Sequence, residues 1–228
     1  MTTYCIRFFL LGYALLIVQY LKSQDKVIGY WEPEVALNYK VGSNYAHNFS
    51  MDMRQYTYED SDLGLRARHL DLSHFSKFTV GSQQSLALGI MYRFRDTFET
   101  DAQNELRLTQ QYNVTHKIGN VRLGNRLRTE QRITVRTIHR FRYRLAVDLP
   151  LKGEKLDVGE PYFVASTESL LSTAMGIGPE WDQRIISHIG WRLNPTTRFQ
   201  TGVEYRAENY AQKVENVLFL LTSLIFSL

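Results

Sequence analysis

Cysteine is nearly absent. The 228 residues contain one, Cys5, so no disulfide framework can be built. Charge of one sign is also lacking. Lys and Arg number 27 against 23 Asp and Glu, a net +4, which gives no reason to expect nucleic acid as a partner. Metal-ligand spacing is missing: the six His form no HxxxH or HExxH pattern. No Gly-rich phosphate loop occurs, so neither a metal nor a cofactor is expected. No apolar run after residue 23 reaches the roughly 20 residues of a helical span, and a mean hydropathy of −0.29 excludes a helical protein with many membrane spans. An apolar content of 44% with 13% aromatics excludes a disordered chain. A transmembrane β-barrel survives all of these tests, because its polar and apolar residues average out.

Residues 1–23 have the layout of a secretory signal peptide. Arg7 supplies the positive start, Phe8 to Leu21 is nearly all apolar, and charge resumes at Lys22. A single membrane anchor is the alternative, but the run is short for the roughly 20 residues a span needs. No clean small-x-small cleavage pattern appears, and the best site follows Ser23. Removing 1–23 takes away the only cysteine. It also lowers the net charge to +2, since Arg7 and Lys22 leave and no acid does.

The remaining chain, 24–228, alternates apolar and polar residues with period two from about residue 29 to its end, which places them on opposite faces of a strand. In 31–39, Trp31, Val35, Leu37 and Tyr39 oppose Glu32, Glu34, Ala36 and Asn38. The same sorting runs through 84–95, 104–114, 121–133, 140–149 and 198–206. Less regular strands are expected at about 46–56, 67–79, 161–171, 182–193 and 215–228. Turn residues such as Gly42-Ser43-Asn44, Gly81-Ser82, Gly119-Asn120, Lys152-Gly153 and Asn194-Pro195 separate them. No linker or low-complexity stretch intervenes, and almost no helix is expected.

A soluble sandwich or lipocalin-like barrel would put the apolar face inward. A membrane barrel would put it outward. Strands of about 10 to 13 residues suit a tilted bilayer crossing. Aromatics near the strand ends (Trp31, Tyr39, Tyr92, Phe94, Tyr112, Tyr143, Trp191, Tyr205) suit interfacial girdles. The terminal segment 217–228 is strongly apolar, as insertion-competent barrels require, although it ends on Leu228. The expectation is an all-β, antiparallel transmembrane barrel. Eleven segments can be counted, but single-chain bacterial barrels have an even number. Twelve strands are therefore expected, with ten as the alternative. Loops near 57–66, 96–103, 171–182 and 207–215 read as the long, extracellular ones.

Segments such as GYWEPEVALNYKV (29–41), HLDLSHFSKF (69–78), LGIMYRFRD (88–96), RLGNRLRTEQR (122–132), HRFRYRLAVDLPLKG (139–153) and WDQRIISHIGWRL (181–193) resemble an outer-membrane barrel family of Bacteroidota-type bacteria, the domain of unknown function 2490. They follow one another over nearly the whole chain after residue 23. The resemblance implies a barrel in the outer membrane of a diderm bacterium and brings no activity and no catalytic residues.

Arginine supplies the densest constellation. Nineteen Arg stand against eight Lys, and most Arg occupy the inward face. Arg122, Arg126, Arg128, Arg132, Arg140, Arg142 and Arg144 form a ladder that faces only Glu130 and Asp148. Neighbouring strands add Glu105, Arg107, Glu168, Arg184, Arg192, Glu204 and Arg206. Arg keeps its charge when desolvated and pairs bidentately with carboxylates. The foremost reading is a narrow structural barrel filled by Arg–Glu pairs, with lipid as its surroundings. The second is a small pore that prefers anionic solutes. A membrane-embedded hydrolase is the third, resting only on His69, Asp71 and Ser73 sharing one face. In Ser73-His74 and Ser187-His188 the two residues point to opposite faces, so neither pair can act as nucleophile and base. The expectation is a protein that is not an enzyme.

Overall fold

The computed structural model describes residues 27–59 and 62–228; the segment 1–23, read above as a signal peptide, lies outside them. Eleven strands appear among the described residues: β1 Val27–Lys40, β2 Tyr45–Glu59, β3 Asp62–Gly81, β4 Gln84–Phe94, β5 Glu105–Ile118, β6 Val121–Ile133, β7 Thr137–Pro150, β8 Pro161–Ala174, β9 Ile177–Arg192, β10 Thr197–Glu208 and β11 Glu215–Ser227. No helix is present among the described residues.

Each strand pairs with its chain neighbours, and β11 pairs with β1 to close a barrel. Successive pairs are antiparallel, and the closing pair is parallel from Val27↔Asn216 to Asn38↔Ser227. The expected count of twelve is therefore corrected to eleven. A chain that runs up and down an odd number of times brings its first and last strands together in the same direction. Parallel bonds are slightly weaker per residue, and side chains add to this seam. The Trp31 indole N–H donates to Thr222 Oγ1 at 3.0 Å, and Ser223 Oγ donates to Glu34 at 3.0 Å.

Strand and loop lengths depart from expectation at three places. β2 and β3 stay paired out to Glu59↔Asp62, and residues 62–69 of β3 have no β4 partner. That hairpin projects beyond its neighbour, and the region read as a long loop near 57–66 is largely strand. Likewise 171–182 is mostly β8 and β9, joined at Met175-Gly176, where φ of 74° at Gly176 suits a residue without Cβ. Conversely, the turn read at Lys152-Gly153 opens a ten-residue connection, 151–160. Loop length is thus divided between the two rims and does not orient the barrel.

The sorting of side chains is inverted relative to a water-soluble barrel. Leu88, Ile90, Leu127, Phe141, Ile185, Val203 and Leu220 stand exposed outside. Asp71, Glu105, Arg107, Glu130, Glu168, Arg184, Glu204 and Arg206 are buried inside. The inner face of β1, β2 and β11 is the exception, because Tyr30, Tyr56, Val217, Phe219 and Leu221 form an apolar cluster there. This explains why the terminal strand reads as apolar throughout rather than alternating.

Candidate functional site: the charged interior

Period-two geometry brings the inward charges of neighbouring strands into direct register. Arg126 lies opposite Arg144, Arg128 opposite Arg142, and Glu130 opposite Arg140. Arg144 in turn lies opposite Glu168, and Glu168 opposite Arg184. Glu168 is the hub. It is 2% exposed and accepts from Arg142 at 2.5 Å and Arg126 at 3.0 Å, with Arg184 at 3.9 Å. Glu130 takes a second arm of Arg142 at 3.4 Å. Glu105 accepts from Arg107 beside it and from Arg132 at 2.6 Å. Glu204 pairs with Arg206 at 2.5 Å.

The remaining ladder members fare differently. Arg122 and Asp148 pair at 2.6 Å, but the arginine is more than half exposed, at the rim rather than in the interior. Arg128 donates twice to Gln111, at 2.6 and 3.0 Å, and Arg140 donates to Ser172 at 3.0 Å. Arg144 has no hydrogen-bond partner at Nε. Arg192 donates to the Leu156 and Pro195 carbonyl oxygens and serves a rim connection.

The opposite wall went largely unread in the sequence. Glu34, Asp52 and Asp71 occupy one row across β1, β2 and β3. Arg93 clamps Asp71 with two bonds of 2.7 and 2.6 Å, and Arg54 reaches Glu32 at 2.6 Å. Above them Tyr30 stacks on Phe219 with ring centres 5.1 Å apart, and the Arg206 guanidinium lies 3.9 Å from the Phe219 ring centre. The inward positions of Glu32, Glu34 and Arg93 follow from alternation. Those of Asp52 and Arg54 follow from it too, since they alternate with Met51 and Met53, whereas that of Phe219 does not, because apolar residues stand on both faces of 217–221. Between the walls lies a cavity of about 680 Å³.

One rim carries a folded latch. In the connection 95–104, Asn104 Oδ1 accepts from the Arg95 amide at 2.8 Å, and Arg95 pairs with Glu99 at 2.6 Å. Tyr56 of β2 donates to Glu99 at 2.7 Å, and Arg68 of β3 approaches it at 3.8 Å. Partial burial raises the Glu99 pKa, but the Tyr56 and Arg95 bonds outweigh it and hold the carboxyl below the ordinary glutamate value.

His69, Asp71 and Ser73 do share the inner face and are all buried. His69 Nε2 lies 3.9 Å from Asp71, yet both Asp71 oxygens serve Arg93. Ser73 is four residues from His69 on one strand, about 13 Å by strand rise, too far for a nucleophile–base contact. On the outer face, His47 and His74 meet at 2.8 Å beside Phe49.

The family model for a protein of unknown function, DUF2490, matches residues 29–217. The chain belongs to the DUF2490 family. No curated protein and no solved structure matched it. The matched span of this DUF2490 barrel runs from the first residues of β1 into β11, so it takes in both charged walls.

Proposed function

We propose that this chain is an integral barrel of a bacterial outer membrane, exported by a cleaved signal peptide at 1–23. Its role is structural, its interior is held by arginine–carboxylate pairs, and it is not an enzyme. The inverted sorting of side chains carries this reading. Exposing a large aliphatic or aromatic side chain to water forfeits about 1.5–3 kcal/mol, and soluble monomers seldom expose apolar patches beyond a few hundred Å². Here such residues face outward from strands all around the barrel, including Leu72, Leu88, Leu127, Phe141, Ile185, Val203 and Leu220. A hydrocarbon environment removes that penalty, and the closed barrel leaves no unpaired edge in lipid.

Expression in a diderm host tests the reading. The protein is expected in the detergent-extracted outer-membrane fraction and should migrate differently on gels before and after boiling. Recovery in the soluble periplasmic fraction without such a shift would contradict it. A second reading, a small anion-preferring pore, draws on Arg128, Arg140 and Arg144, which have no carboxylate within 4.0 Å among the described residues. Reversal potentials under a salt gradient would distinguish it.

A further inference from the structure

The charge in the interior is unevenly matched. On the facing strands β6 and β7, Arg126, Arg128, Arg142 and Arg144 form a compact quartet, with Arg126↔Arg144 and Arg128↔Arg142 directly opposite. Like charges directly opposite on neighbouring strands repel. Among the described residues, Glu168 and Glu130 are the carboxylates that touch the quartet, and Arg142 takes most of both. The Nε atoms of Arg126 and Arg144 are buried without a partner. So is Nε of Arg184, a residue 8% exposed that also lines the cavity. Arg128 spends its guanidinium on a neutral amide oxygen. Those side chains line a cavity with room for a small solute, and because their Nε atoms are covered, a solute there would meet the Nη groups. A planar fork with idle N–H groups is the arrangement that recognises an oxyanion through paired bonds.

We infer that Arg126, Arg128 and Arg144 form a binding site for a small oxyanion, a free phosphate, a sulfate or a phosphate ester, that enters from the aqueous rim. The four guanidinium charges less two carboxylates leave a local excess of two, which a dianion neutralises. The site rests on the closed, charge-lined barrel proposed above and not on its cellular address.

Thermal unfolding of the refolded protein in a neutral detergent tests it, with sodium phosphate or sulfate replacing sodium chloride at constant ionic strength. The shift of the band on boiling first establishes that the barrel is folded, so a failure of the fold or membrane reading is separable from a failure of the site. The expected result is a saturable rise in midpoint with phosphate or sulfate. Arg144→Gln should leave the midpoint in chloride equal or higher, because the replaced side chain makes no hydrogen bond among the described residues and repels Arg126. The same variant should weaken the oxyanion response by at least about tenfold in half-saturating concentration. Arg144→Lys, which keeps the charge and loses the fork, should fall between them. The inference is overturned if phosphate and sulfate act no differently from chloride. It is also overturned if Arg144→Gln lowers the midpoint in chloride and leaves the oxyanion response intact.

Discussion

Replacing Glu168 by Gln keeps the side-chain volume and removes one buried negative charge. In the folded barrel that carboxylate is 2% exposed and bonds Arg142 at 2.5 Å and Arg126 at 3.0 Å. Removing one partner of a buried ion pair costs about 3–5 kcal/mol, because the other charge is left without compensation. Two features argue for the lower part of that range. The Arg126 side chain is 22% exposed toward the cavity, where water can reach it. Arg142 keeps Glu130 at 3.4 Å. The expected loss is therefore about 3 kcal/mol, or roughly a hundredfold in the folding equilibrium. Urea unfolding in lipid vesicles would measure it, read by the fluorescence of Trp31, Trp181 and Trp191 and by gel migration. The double variant Glu168→Gln/Arg144→Gln should recover part of the loss, since it removes the like charge directly opposite the stranded Arg126. A loss below about 1 kcal/mol is what a solvated surface pair would give. It would refute the claim that these bridges hold the interior.

Three further outcomes follow from the same geometry. A Cβ on Gly89 would sit 2.2 Å from the Phe75 ring, so Gly89→Ala should cost about 1–3 kcal/mol, and Phe75→Ala in the same chain should relieve it in an unfolding titration. Ile185 is exposed on the outer face near the middle of β9; Ile185→Arg should cost about 2–4 kcal/mol in vesicles and would be near neutral if that face met water. Glu99 has a folded pKa below its unfolded value, so its latch contributes stability above about pH 4.3 and loses it as pH falls through the lower folded value; protection of the 95–104 amides against hydrogen exchange, relative to the unstructured chain at the same pH, should fall in that window in the wild type and should already be low at neutral pH in Glu99→Gln.

Much of the fold was legible because a strand's period of two is a local signal. Every alternating segment from Leu86 to Phe94 and from Val121 to Val147 lies in a strand with the faces expected. The less regular segments were also placed, and the eleven counted match the eleven observed. Closure was not legible. The pairing of Trp31 with Leu220 joins residues at the two ends of the chain, and no local pattern announces that a first and last strand will run parallel. Counting by an even-number rule therefore overshot. In the interior, alternation gave the inward face of Arg126 and Arg142 but not their shared carboxylate, since Glu168 sits 42 residues from Arg126. The aromatic cluster around Phe219 was hidden for a different reason. A strand with apolar residues on both faces shows no period, and only the fold assigns Val217, Phe219 and Leu221 to the inside.

The central claim is a membrane-spanning barrel whose interior is closed by paired charges. Planar-bilayer recording with the purified, refolded protein tests it most directly. Insertion without steady conductance is expected, since Glu168, Glu130 and Glu105 tie arginines from β5, β6 and β7 along the lumen wall. A steady, salt-dependent conductance in the wild type would contradict it.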